Sequence, residues 1–87
     1  MNIVFHTLAW EDYCYWQATD KKTPKRINLL IKDITRDDPF EGIGKPEQLK
    51  ANLAGYWSRR ITDEHRLVYT VKGEDLVIVQ ARYHYSA

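Results

Sequence analysis

The sequence predicts an α+β domain: an N-terminal strand, two helices, then antiparallel strands forming a twisted sheet with the helices on one face. Three observations predict it. The chain's 87 residues suffice for one core and not for two, so it reads as a single domain over 1–87. Apolar residues at helical spacing occupy the first half, and short β-branched and aromatic runs occupy the last third. A glycine-centred turn joins two of those runs.

In order, Asn2 to His6 reads as a short strand. Thr7 to Thr19 reads as a helix, because Trp10, Tyr13 and Cys14, with Trp16 or Gln17 next, recur at spacings of three and four. Thr23 before Pro24 is a helix-start signal, an N-cap followed by proline at the first helical position. Ile27, Leu30, Ile31 and Ile34 then form one apolar stripe, with Lys25, Arg26, Lys32 and Asp33 pointing away. Asp38-Pro39 ends that helix. Asp38 to Lys50, carrying Pro39, Gly42, Gly44 and Pro46, reads as a structured loop. Strands are expected over Tyr56 to Ile61, His65 to Val71 and Leu76 to Arg82, the last two joined by Lys72-Gly-Glu-Asp75 as a hairpin.

Alternation sets an expected register. Leu67, Tyr69 and Val71 share one face of their strand, and Val77, Val79 and Ala81 share one face of the next. Burying both sets under the helices opposes Tyr69 to Val79 or another odd-numbered residue. Arg66, Arg82 and, if the strand continues, His84 then share the face away from the helices.

Charge and composition narrow the function. Thirteen Lys and Arg stand against twelve Asp and Glu, a net charge of +1, which looks unlike a nucleic-acid binder. The total conceals an asymmetry. The first 20 residues carry Glu11, Asp12 and Asp20 and no Lys or Arg, so all the basic residues lie beyond them. From Lys45 to Arg60, four cations face one acid, Glu47. A single cysteine, Cys14, excludes an intramolecular disulfide and suits a reducing, cytoplasmic setting. No segment reads as a signal peptide or membrane span. No His, Cys, Asp and Glu spacing fits zinc, and Gly42 and Gly44 lack the surroundings of a P-loop or dinucleotide fingerprint. A catalyst here works by acid and base without a cofactor.

The residues left for chemistry are ionisable groups interleaved with aromatics. Arg59, Arg60, Arg66, Arg82 and His84 lie on the strand-like segments, and Lys45, Glu47 and Lys50 lie in the connector. Trp57, Tyr83 and Tyr85 stand among them. Cations for phosphates beside rings for unpaired bases are what a single-stranded RNA site needs. On spacing alone, a solvated sheet face fits better, and Glu47 after Pro46 fits better as a first-turn helix acid. His6 and His65 read as structural.

Larger motifs carry more. Pro39-Phe-Glu-Gly-Ile-Gly-Lys-Pro-Glu47, Leu49-Lys50, Leu53-Ala-Gly-Tyr-Trp-Ser-Arg-Arg-Ile61, Glu64-His-Arg-Leu-Val-Tyr69 and Arg82-Tyr-His-Tyr85 closely resemble the Txe/YoeB toxins of the RelE-like superfamily. The Asp12-Tyr13 and Tyr15-Trp16 pairs fit as well. Gln48 stands where the family often has proline, Gln80-Ala81 replaces Ala-Cys, and Ser86 and Ala87 follow the usual terminal tyrosine.

The resemblance implies a RelE-like fold and the toxin of a bacterial type II toxin–antitoxin system. It implies an mRNA interferase that cleaves message in the A site of the 70S ribosome by 2′-hydroxyl attack, without metal. Carried over, Glu47 is the general base, His84 the general acid, Arg66 the phosphate stabiliser and Tyr85 an orienting residue. Lys45, Lys50, Arg59, Arg60 and Arg82 are expected to bind RNA or ribosome. The implied partners are a Phd/YefM-like antitoxin lying near Arg82 to Tyr85, a second copy as homodimer, and operator DNA through the antitoxin complex only. A non-catalytic A-site blocker and a gyrase poison are the alternatives; neither needs this Glu, Arg, His and Tyr set. Glu47 can meet Arg66 and His84 only if the connector folds back over the sheet.

Overall fold

Ile27, Leu30, Ile31 and Ile34 are buried as a stripe, and the domain is organised beneath them. In the computed structural model, which describes residues 1–84, they belong to helix α2 (Lys22–Arg36). Helix α1 (Thr7–Thr19) follows the first strand, β1 (Asn2–Phe5). The connector contributes a two-residue strand, β2 (Glu47–Gln48), and a 3-10 turn (Ala51–Leu53). Strands β3 (Trp57–Arg60), β4 (Arg66–Lys72) and β5 (Asp75–Gln80) complete a sheet ordered β1-β5-β4-β3-β2.

The α+β class and the bounds of α1 are as expected, with informative differences elsewhere. The sheet is mixed, because β1 pairs parallel to β5. A parallel neighbour requires a crossover connection, and β1 is followed directly by both helices. On α1 the buried residues are Ala9 and Trp16, with Tyr13 half-buried between them. Trp10 instead stays half exposed and stacks 5.8 Å from Tyr13. Helix α2 starts one residue before Thr23, and Asp20 caps it: its carboxylate accepts the Lys22 N–H at 2.9 Å and the Thr23 hydroxyl at 2.8 Å. These bonds to Lys22 and Thr23 lower the Asp20 pKa below the usual carboxyl value.

The expected register is off by one in the outer part of the hairpin. Lys72 pairs with Asp75, Val71 with Leu76 and Tyr69 with Ile78. Leu76 and Ile78 are therefore in the core, while Val77 and Val79 are half-buried. The cause is the turn: two intervening residues, Gly73 and Glu74, oblige odd positions to face even ones. A bulge in the ladder, where Val68 pairs with Gln80, then restores even-to-even pairing towards the site.

Candidate active site

The connector enters the sheet. The Arg60 N–H donates to the Gly44 carbonyl at 2.7 Å, Glu47 pairs with Ser58, and the Leu49 N–H donates to the Tyr56 carbonyl at 2.9 Å. Ser58 pairs with Val68 in turn. Directly opposed residues share a face, so Glu47, Ser58 and Val68 line one face, and Arg66, two residues from Val68, lies on it too. Two strand spacings and one alternation put the Glu47 and Arg66 backbones roughly 12 Å apart, a gap that their side chains and a nucleotide can bridge. Leu67 and Tyr69 belong to the core under the helices, so this is the open face of the sheet.

Arg66 is buried to 7 % exposure, and Nη1 donates to the carbonyls of Thr62 at 2.8 Å, Asp63 at 3.0 Å and His65 at 3.2 Å. Nε and Nη2 make no hydrogen bond among the described residues. Arg66 also sits directly opposite Arg60. Like charges so placed repel, and an anion between them relieves the repulsion. Lys45, Lys50 and Arg60 are exposed around Glu47.

The tail reaches the site through a series of captured backbone groups. The Ala81 N–H donates to Asp12 Oδ2 at 2.9 Å, and the Ala81 carbonyl accepts the Trp16 indole N–H at 2.8 Å. The Arg82 carbonyl accepts from the Gln80 amide at 2.7 Å. The Tyr83 N–H donates to His65 Nδ1 at 2.7 Å, and the Tyr83 carbonyl accepts the Arg66 N–H at 3.0 Å. His84 follows, exposed. It stands one residue from a group bonded to Arg66. Tyr85 lies outside the described residues.

Two expectations are corrected, the face of Arg82 and the role of Arg59. Arg82 does not share the open face: its guanidinium lies 3.6 Å over the Tyr15 ring of α1 and 4.6 Å from the Tyr83 ring. Arg59, expected to bind RNA, is fully buried. Nε donates to the Tyr69 hydroxyl at 3.1 Å. Nη1 donates to Asp33 Oδ2 at 2.6 Å and the Ile43 carbonyl at 3.1 Å. Nη2 donates to the carbonyls of Glu41 at 2.8 Å and Pro39 at 3.1 Å. All five donors are engaged, leaving none for a phosphate.

Arg59 shapes the connector instead. Asp33, expected to point to solvent, turns in to pair with it. The Arg59 hydrogen bond, ahead of one from the Ile43 N–H, holds the Asp33 carboxyl below the usual range. Burial pushes the Tyr69 phenol up, although its bond to Arg59 opposes this. Gly42 bends the loop at φ +126°, where an added Cβ would overlap the Asp33 carboxylate. The glycine pair is thus explained by close packing. The positioning residues Asp12, Trp16, His65 and Gln80 were not singled out by spacing, although Asp12 and Trp16, four apart on a helix, share a face.

Among the described residues, no three His, Cys, Asp or Glu side chains cluster as metal ligands would. Among the described residues, no helix is long and apolar enough to cross a membrane.

Two helices on one face of this sheet are the fold of small bacterial toxins: a toxin from Helicobacter pylori superposes with a TM-score of 0.81 at 17 % identity, over 97 % of this chain and 94 % of that one. The family described as "YoeB-like toxin of bacterial type II toxin-antitoxin system" matches residues 5–85, and the chain belongs to that family. It is 65 % identical to the toxin YoeB of Synechocystis over 99 % of both chains. It is 60 % identical to the toxin YoeB of Escherichia coli K12 over 98 % of this chain and all of that one. A YoeB/ParE toxin from Agrobacterium tumefaciens has a TM-score of 0.94 at 50 % identity, covering 98 % of this chain and 100 % of that one.

Proposed function

We propose that this toxin is a ribosome-dependent endoribonuclease that cleaves mRNA in the A site and so halts translation. Glu47 takes the proton of the ribose 2′-hydroxyl as its oxygen attacks the adjacent phosphorus. Arg66 holds the charge that builds on the phosphorane. His84 gives its proton to the departing 5′-oxygen, and Tyr85 orients the group in transit. The products are a 2′,3′-cyclic phosphate and a 5′-hydroxyl end. Protein groups supply every proton, and a positioned acid and base each contribute about 10²–10⁴-fold.

The observation that carries the reading is the sheet register, with Glu47 and Arg66 on one open face and the segment that leads into His84 bonded to the Arg66 backbone. Lys45, Lys50 and Arg60 contact RNA or ribosome around it, with the Arg82 end alongside. The setting is the cytoplasm, where ribosomes are.

The partners follow relatives. A YoeB–YefM complex from Staphylococcus aureus superposes at a TM-score of 0.90 with 55 % identity, and a YoeB dimer from the same organism at 0.91 with 56 %. A YefM-like antitoxin thus silences this toxin, its acidic segment lying across residues 82–85 and disturbing the acid; operator DNA is met through that complex. The toxin pairs with a second copy.

Primer extension on mRNA from translating ribosomes tests the activity. Wild type should leave discrete cuts, and Glu47→Ala and His84→Ala should abolish them while circular dichroism shows the fold intact. A stalled ribosome carrying intact message would overturn the reading in favour of simple A-site blockade.

A further inference from the structure

We propose that His65 is a positioning residue for the acid: its imidazole holds Tyr83 in the turn that delivers His84. The inference rests on the reading of His84 as the general acid. Tyr83 has φ +62°, a left-handed conformation that L side chains disfavour and that persists only when its surroundings hold it. Two bonds hold it. The Tyr83 carbonyl accepts the Arg66 N–H at 3.0 Å, a backbone bond that any residue at 66 except proline could make. The Tyr83 N–H donates to His65 Nδ1 at 2.7 Å, which depends on one particular side chain.

His65 is itself well fixed. Its ring meets Trp16 edge-on at 4.8 Å between centroids and lies 5.8 Å from the Tyr83 ring. Its backbone N–H donates to the Thr62 hydroxyl at 3.1 Å, and its carbonyl accepts from Arg66 Nη1 at 3.2 Å. One residue thus touches both the phosphate-holding guanidinium and the turn before the acid. An Nδ1 that accepts carries no proton, so this bond requires the tautomer with hydrogen on Nε2.

This predicts an order of substitutes that size and polarity do not. Asparagine places an oxygen where His65 has Nδ1, while glutamine places its oxygen one bond further out, near the Nε2 position. His65→Asn should keep the acceptor and His65→Gln should lose it.

The test is single-turnover cleavage on mRNA-programmed ribosomes, with amide hydrogen exchange on the same proteins. His65→Gln should slow cleavage by about 10²-fold, the loss expected of misplacing a catalytic group by about 1 Å. Ribosome affinity should not change. The Tyr83 amide should exchange faster in His65→Gln, and both properties should return in His65→Asn. Equal rates in the two variants, whether both fast or both slow, would overturn the proposal. The His84→Ala control separates the two readings: wild-type cleavage there would refute the catalytic tail, whereas the Tyr83 exchange rates still report whether His65 holds the turn.

Discussion

Arg59 and Arg66 lie on adjacent strands and are almost equally hidden, yet their donors are used differently. Arg59 points under the helices and gives all five N–H groups to Asp33, Tyr69 and three connector carbonyls. Arg66 points to the open face and gives one nitrogen, Nη1, to a turn. Burial alone therefore does not separate an arginine whose donors are all spent from one that could still hold an anion. The number of donors the protein satisfies does, because a phosphate can be held only by those left over.

The sharpest break of this contrast is Asp33→Ala. It leaves the Arg59 charge buried beside neutral acceptors, and stability should fall by about 3–5 kcal/mol, read as the urea midpoint. A loss near zero would mean that carbonyls alone suffice for Arg59. Next is Arg66→Gln, which keeps much of the stem. Cleavage should drop by about 10²–10³-fold, as for loss of a transition-state donor, while the urea midpoint moves far less than in Asp33→Ala. A midpoint shift matching that of Asp33→Ala would erase the distinction.

The smallest effect is with acid. The Asp33 carboxyl is lowered in the folded state, so its contribution is present above the unfolded carboxyl pKa of about 3.9. It is lost as pH falls through the lower folded value. The urea midpoint of Asp33→Asn should therefore respond less to pH below about 4 than that of wild type. Parallel pH profiles would place the acid sensitivity elsewhere.

The helices and three main strands are legible in the sequence because their periodicity is local. The Ile27 to Ile34 stripe needs no knowledge of what it covers. β2 was not legible, since two residues paired at an edge have no period to detect. The hairpin register was available from its two-residue turn, but the wish to bury Val77 and Val79 outweighed it. Arg59 and Arg60 are neighbours in an identical local context. What separates them is a carboxylate 26 positions away and carbonyls 16 to 20 positions away. Glu47, Arg66 and His84 were chosen by family resemblance; spacing by itself did not prefer them to other ionisable residues.

The parallel pairing of β1 with β5 has a consequence for synthesis. Asn2 meets Asp75 across nearly the whole chain, so the first strand has no sheet neighbour until the fifth is made. Long-range pairing of this kind closes late in folding. The captured tail follows β5 immediately. A nascent chain therefore gains its full sheet and the segment carrying His84 almost together, and a product that stops before residue 75 lacks both. Incomplete translation yields an unfinished fold before it can yield a working toxin.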